Sequence, residues 1–322
     1  MDRRTFLAAS TLAAVAPLRA QPAAWPSRPV RILVGFAPGG GVDAMARLVA
    51  QRMSDATRQQ FVVENRAGAG GLIAAEAASR AAPDGYTLVF ADSAVLIARS
   101  LGLAQALDPF TSFTPLSQAF RVPLMIIANP QFPAADPRTL VQALRAAPGR
   151  HSYASVGVGT VHHLGFESFK ARTGTFVVHI PYRGASQIIP DVAGGQLPLG
   201  VVSGTAGISQ ARAGRVKALA MMSPDRVAGI DGVAPLSDAV PGFDVAPSLF
   251  ALGPPGMSAE LAARVSDALR QSLASPEAEK AAAAQGAVVV RGGPAELRAA
   301  MQREADAFAR VVKEQRITAE GA

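Results

Sequence analysis

Three glycines stand where an apolar strand gives way to a helix: Pro38-Gly39-Gly40-Gly41 follows "RILVGFA" and opens "VDAMARLVAQRM". The turn recurs, and that recurrence limits the fold. A chain that passes from strand to helix within a few residues, again and again, can bury both kinds of apolar face only in layers. A strand over 61–64 meets Gly68-Ala69-Gly70-Gly71 and an Ala-rich helix that stops before Pro83, and a strand over 86–90 runs into Asp92-Ser93. The rhythm then repeats. Strands over 152–154, 176–180, 197–202 and 216–222 enter "SVGVGTVHH", "PYRGASQ", "SGTAG" and "SPDR". Met45, Leu48, Val49 and Met53 recur at helical spacing and predict a helix over 43–53. Two βαβ series predict two mostly parallel sheets with helices on their faces. "PLSQAFRVPLMIIANP" (115–130) reads as an extended crossover into the second lobe, and 248–252 followed by Pro254-Pro255-Gly256 as the return. Long helices are expected over 258–273 and 294–315, with a strand over 287–290 between them.

The N-terminus predicts export. Arg3 and Arg4 precede an apolar run from Phe6 to Ala16, with Ala20 as a small residue for cleavage. The run is shorter than the about 20 apolar residues a bilayer requires. Residues 1–20 therefore read as a secretory signal, and Arg3-Arg4-Thr5-Phe6-Leu7 resembles the twin-arginine motif, although Leu18 is bulky for its place before the cut. No later segment has transmembrane length, so no stable membrane insertion is expected and the mature chain should be soluble and outside the cytoplasm. Cysteine is absent, which excludes disulfides, thiolate metal sites and cysteine nucleophiles. The formal charge is +7, and removing residues 1–20 with their three Arg and one Asp leaves +5. These positives are scattered and lack aromatic partners, which argues against nucleic acid and suits small anions.

In open α/β sheets ligands bind beyond the carboxyl ends of the strands, where the glycine turns lie. The first turn has two readings. A helix start offers unpaired N–H groups and partial positive charge, and glycine lets an anion approach them. Alternatively the glycines only close a tight turn, with Asp43 as helix cap. The turn lacks the Lys-Ser/Thr of a Walker motif and the spacing of a dinucleotide fingerprint. Ser155-Val156-Gly157-Val158-Gly159-Thr160 is a second such turn and adds two hydroxyls able to donate to a carboxylate. Turns of this kind in both lobes favour the anion reading. Several converging charge-assisted bonds, each worth roughly 1.5–3 kcal/mol, would hold a carboxylate. His162 and His163 are adjacent, so their side chains diverge, and no carboxylate cluster completes a metal site. No cofactor is expected. His163 reads as a cap or pocket residue and His179, within an apolar strand, as structural. Ser155 and Ser203 lie in turns, but the nucleophile-elbow pattern and an evident acidic partner are missing.

"RPVRILVGFAPGGGVDAMARLVAQRM", "VVENRAGAGGLIAAEAASRAAPDGYTLVF", "HSYASVGVGTVHHLGFESFK" and "VHIPYRGASQIIPDVAGGQLPLG" resemble, in order and spacing, the Bug family of tripartite tricarboxylate transporter receptors. The likeness runs from about Trp25 to Ile317. It implies an α/β, two-lobed type II periplasmic-binding-protein fold with a double crossover hinge. Residues 25–120 and 251–322 would form the first lobe and 121–250 the second. The resemblance also implies an extracytoplasmic solute receptor, not an enzyme, that closes on a small carboxylate and delivers it to the transmembrane subunits of a transporter. A ligand-sensing partner of a sensor kinase and a periplasmic enzyme are the alternatives. The implied site takes Phe36, Pro38, Gly39, Gly40, Gly41, Val42, Asp43 and Ser93 from the first lobe. From the second it takes Ser155, Gly157, Gly159, Thr160, His163, Tyr182, Arg183, Gly184 and Ser203. Val42, Val158 and Ser203 stand where the family commonly has Thr or Ser, Asn, and Asp. These departures imply a more apolar pocket, suited to a simple or aromatic carboxylate.

Overall fold

A computed structural model describes residues 25–36, 38–39, 41–103, 107–182, 184–225 and 232–318. The expected signal peptide (1–20), Gly40 and Arg183 lie outside the described residues.

The chain opens with β1 (Val30–Val34), α1 (Gly41–Thr57) and β2 (Phe61–Asn65). A 3-10 turn (Ala69–Gly71) leads into α2 (Leu72–Ser79), β3 (Thr87–Asp92) and α3 (Ala94–Ser100). β4 (Thr114–Arg121) and β5 (Leu124–Ala128) follow almost end to end. Then come α4 (Pro137–Ala146), β6 (Ser152–Ser155), α5 (Val161–Thr173), β7 (Val178–Pro181) and α6 (Ala185–Ala193). β8 (Leu199–Ser203), α7 (Gly204–Arg212), β9 (Lys217–Met221) and β10 (Ser248–Gly253) precede α8 (Ala259–Ser272) and α9 (Pro276–Ala284). The described chain closes with β11 (Val288–Gly292) and α10 (Pro294–Glu314).

The strands form two sheets, ordered β11-β4-β10-β3-β1-β2 and β7-β6-β8-β5-β9. β1 is parallel to β2 and β3, and β6 is parallel to β7 and β8. The remaining pairings are antiparallel, so the expectation of mostly parallel sheets holds only for these strands. The crossovers explain most of the difference. Strands that feed the glycine turns end at the boundary between the sheets. β5 enters the second sheet across that boundary and β10 re-enters the first, so both run away from it and oppose their neighbours. Polar contacts fasten the crossings: Val122 N–H donates to Pro247 O (3.0 Å), Met222 N–H to Leu124 O (2.8 Å), and Arg121 pairs with Asp244 (2.5 Å).

Both faces of each sheet are covered, and strand alternation sorts side chains between them. Val30, Ile32 and Val34 of β1 join the core beneath Met45, Val49 and Met53 of α1, whereas Leu33 joins the opposite layer with Val89 and Ala91. Leu124, Ile126 and Ala128 of β5 likewise face one layer of the second lobe, and Met125 and Ile127 the other. Two elements of the first lobe reach across. Ile97 of α3 is buried in the second lobe's core, and α10 packs Leu297 and Met301 on the first lobe but Phe308 and Val312 on the second.

Candidate functional site

The first glycine turn is built around a buried carboxylate. Asp43 is only 2% exposed and its Oδ2 accepts from Gly39 N–H (2.9 Å) and Arg47 Nε (2.9 Å). Asn65, the last residue of β2, donates from Nδ2 both to Asp43 Oδ1 (2.7 Å) and to the Phe36 carbonyl (3.0 Å). Burial pushes the Asp43 carboxyl up, but the donors Arg47, Asn65 and Gly39 outweigh it and hold the group below the usual carboxylate range. Asp43 is thus an internal anchor, and the Gly39 amide belongs to it rather than to a ligand. Phe36 and Val42 are half-buried with their side chains against the first-lobe core. Val42 therefore does not offer the cleft an apolar side chain in place of a hydroxyl.

What remains open is backbone. Pro38, Gly39 and Gly41 are exposed, and no atom lies within 4 Å of where a Cβ on Gly39 or Gly41 would stand. Gly41 and Val42 begin α1, so their N–H groups are among those a helix leaves without a partner four residues back. The neighbouring turn supports them at close range: a Cβ on Gly35 would lie 2.3 Å from Gly71 Cα.

The second turn is more self-contained. Ser155 is fully buried, and its Oγ lies 3.0 Å from Gly157 O, accepts from Gly157 N–H (3.2 Å) and lies 2.7 Å from His179 Nε2. Thr160 caps α5, donating to Gly157 O (2.8 Å) and accepting from His163 N–H (3.4 Å). The Gly159 amide donates to His163 Nδ1 (3.2 Å). The expectation that the Ser155 and Thr160 hydroxyls point at a ligand is corrected: both hold the turn's own backbone. Gly159 is not bare either. A Cβ there would sit 2.5 Å from Leu101 Cδ1, a side chain of the first lobe. Val156, Gly157, Val158 and Thr160 of this turn are half-exposed, whereas Ser155 and Gly159 are buried.

His163 stacks on His179 with ring centroids 3.9 Å apart. Burial, then the Lys170 ammonium, lowers His163 to about 4. Burial, then His163 itself, lowers His179 to about 3, so both rings are neutral at pH 7. The Ser155–His179 contact has the spacing of a nucleophile and base. A fully buried Oγ closed into its own turn gives a substrate no approach.

Ser93, expected at the cleft, is corrected to an internal residue. It is fully buried, donates to Glu304 Oε2 (2.6 Å) and accepts from Ser248 N–H (2.9 Å). Burial raises the Glu304 carboxyl, although Ser248 and Ser93 donate to it, and Asp92 beside Ser93 is raised by burial to about 7. Tyr182 donates its hydroxyl to Asp191 (2.5 Å), and its N–H ties β7 to Ser155 O (2.8 Å). Gly184 precedes α6, and Ser203 precedes α7 at the end of β8. Three contributors escaped sequence reading, Asn65, Leu101 and Glu304, whereas His179, read as structural, supports the Ser155 turn. Asn65 was the most accessible, since it ends a strand next to β1 within the string "ENRAGAGG".

Comparison with known proteins places this architecture. The chain is 32% identical over 312 residues to "Protein BugT" of Bordetella pertussis, covering 96% of this chain and 94% of that protein. Among solved structures it is similar to "R. palustris Rpa4515 with adipate" (TM-score 0.82, 28% identity, 91% of this chain and 99% of that one). It is also similar to "MatC (Rpa3494) from Rhodopseudomonas palustris with bound malate" (TM-score 0.76, 26% identity, 89% and 99%). The two-lobed arrangement is that of these structures and of "Structure of periplasmic binding protein BugD" (TM-score 0.78, 29% identity, 91% of this chain and 99% of that one), the periplasmic-binding-protein fold. Residues 45–317 match the description "Tripartite tricarboxylate transporter family receptor", and to that family the chain belongs.

Proposed function

We propose that this receptor captures a small carboxylate between its lobes and hands it, in the periplasm, to the transmembrane subunits of a tripartite tricarboxylate-type transporter. The family is one of transport receptors, not enzymes. The first lobe is taken as 25–120 with 251–322 and the second as 121–250, with export directed by residues 1–20. No helix among the described residues is long and apolar enough to cross a membrane.

One observation carries the reading. The α1 start presents Gly41 to open space while the only buried carboxylate of that turn, Asp43, is matched by its own donors. An incoming anion therefore meets helix-end N–H groups and the positive end of the dipole, with the Asp43 charge already compensated by Arg47. The structures bound to adipate and to malate support a carboxylate as the class of ligand. In this reading Gly41 and Val42 would supply first-lobe amides, with Gly40 beside them in sequence, and Gly157, Tyr182, Gly184 and Ser203 would border the opposite wall, with Arg183 between Tyr182 and Gly184 in sequence. Ser203 and Val158, which stand where the family commonly has Asp and Asn, favour a simple or aromatic carboxylate over an amino acid. Ligand favours the closed arrangement by touching both walls at once. A thermal-shift screen tests this: adipate, benzoate or another apolar acid should raise Tm more than aspartate or citrate. If aspartate or citrate outperforms every apolar acid, the selectivity is wrong; if no carboxylate shifts Tm, the reading itself is.

A further inference from the structure

The second glycine turn carries more internal machinery than a passive wall requires. Its Gly159 has φ +74°, a backbone conformation that side chains disfavour, and is buried from both sides. Above it lies Leu101, which caps α3 of the first lobe and packs on the second lobe's core beside Ile97 of the same helix. Below it lies the His163 ring, whose Nδ1 accepts the Gly159 N–H at 3.2 Å. A Cβ on Gly159 would come within 2.5 Å of Leu101 Cδ1, so the contact between lobes depends on this backbone being where it is.

We propose that His163 is a positioning residue that sets the Gly159 turn from beneath, in its neutral Nε2-protonated tautomer, so that the turn seats Leu101 of the other lobe and faces the cleft in one shape. An imidazole nitrogen that accepts a backbone N–H carries no proton, so the ring's single proton is on Nε2. A second proton would have to enter at Nδ1, which removes the acceptor and sets two N–H groups against each other. The turn then opens and Leu101 loses its seat. The surroundings oppose that proton. His179 of β7 stacks on the ring at 3.9 Å, Lys170 of the same helix ion-pairs with Glu167 at 2.8 Å, and Tyr153 of β6 donates to Glu167 at 2.7 Å. Glu167 Oε1 is 4.0 Å from His163 Nε2, but Lys170 and Tyr153 already engage it. Burial is consistent with this: the His163 ring stays neutral to about pH 4. His179 supports the same turn from its other end through Ser155 Oγ (2.7 Å), which in turn accepts the Gly157 N–H. The inference deepens the receptor reading and rests on it for the turn's use, but its test requires no ligand.

Protein labelled with 15N-histidine reports the tautomer directly, and hydrogen exchange over 156–160 reports the turn. His163 should show the Nε2–H pattern at pH 7. After correction for intrinsic rates, exchange over 156–160 in the wild-type protein should accelerate as pH falls from 6 to 4. His163→Gln offers an amide oxygen to the Gly159 N–H and should keep the turn protected with that pH response abolished. His163→Phe offers no acceptor and should exchange about tenfold faster at pH 7, the loss of one net hydrogen bond. An Nδ1–H tautomer in the wild-type protein overturns the proposal whether or not the variants fold. Unchanged protection in a folded His163→Phe protein overturns it too.

Discussion

Replacing Asn65 with leucine tests how the first turn is held. The side chain sits at the end of β2 and spends both amide protons, on Asp43 Oδ1 at 2.7 Å and on Phe36 O at 3.0 Å. Leucine keeps the approximate volume and removes both donors. The Asp43 carboxylate, 2% exposed, then loses one of its three donors and cannot replace it readily with water. A lost bond to a charged group and an unsatisfied carbonyl together cost about 2–4 kcal/mol. That lowers the folding equilibrium constant by roughly 30- to 1000-fold. Urea unfolding should show a lower midpoint with an unchanged slope, since the surface exposed on unfolding is the same. Arg47→Met removes another of the three donors to this buried carboxylate, and its compensating charge with it, so it too should lower the midpoint. An Asn65→Leu protein within about 0.5 kcal/mol of wild type would refute the reasoning, because the turn would then not depend on the buried network.

Gly35→Ala should be among the most damaging single substitutions, since its Cβ would meet Gly71 backbone atoms at 2.3 Å and 2.7 Å and neither can swing away. A loss of about 3 kcal/mol or more is expected by urea unfolding, and a loss under about 1 would contradict it. His163 makes stability fall in acid: its folded pKa of about 4 lies below the unfolded value of about 6.5, so its contribution is complete above that value and declines toward pH 4. The loss should reach about 2 kcal/mol at pH 5 for this group, and a His163→Gln protein should show a shallower acid limb in calorimetry. Asp92 acts in the opposite direction: raised to about 7 by burial, it favours folding at low pH and costs stability as pH rises through 7. Asp92→Asn keeps the acceptor for Ala94 N–H and should raise Tm at pH 8 while leaving it nearly unchanged at pH 4; an unchanged Tm at pH 8 would count against a raised Asp92 carboxyl.

The βα rhythm was legible because alternation along β1 and helical spacing along α1 are local properties that burial amplifies. Met45, Val49 and Met53 lie on one face whatever they pack against. Strand direction is not local. Nothing within "LMIIA" says that β5 opposes its neighbours; that follows from which side of the hinge the chain enters. Ser93 looked like a cleft residue because it follows a strand end, and its burial depends on Glu304, 211 residues away. Asp43 as a cap was one of two readings open from the sequence; in the structure it is the third residue of α1 and accepts from Gly39 N–H ahead of the helix, so it anchors the turn instead of capping the helix. Leu101 over Gly159 was out of reach, since only the packing of one lobe on the other brings them together. α9 is a different case. Ser275-Pro276 with Glu277 and Glu279 is an ordinary helix start, and Ser275 does cap Ala278 N–H.

Backbone amide NMR during titration with adipate bears most directly on how this receptor holds its ligand. Capture at the first-lobe helix start requires saturable binding with large downfield shifts at the Gly41 and Val42 amides and little change at Gly39, whose N–H already serves Asp43. Saturable binding that leaves Gly41 and Val42 unmoved would contradict it.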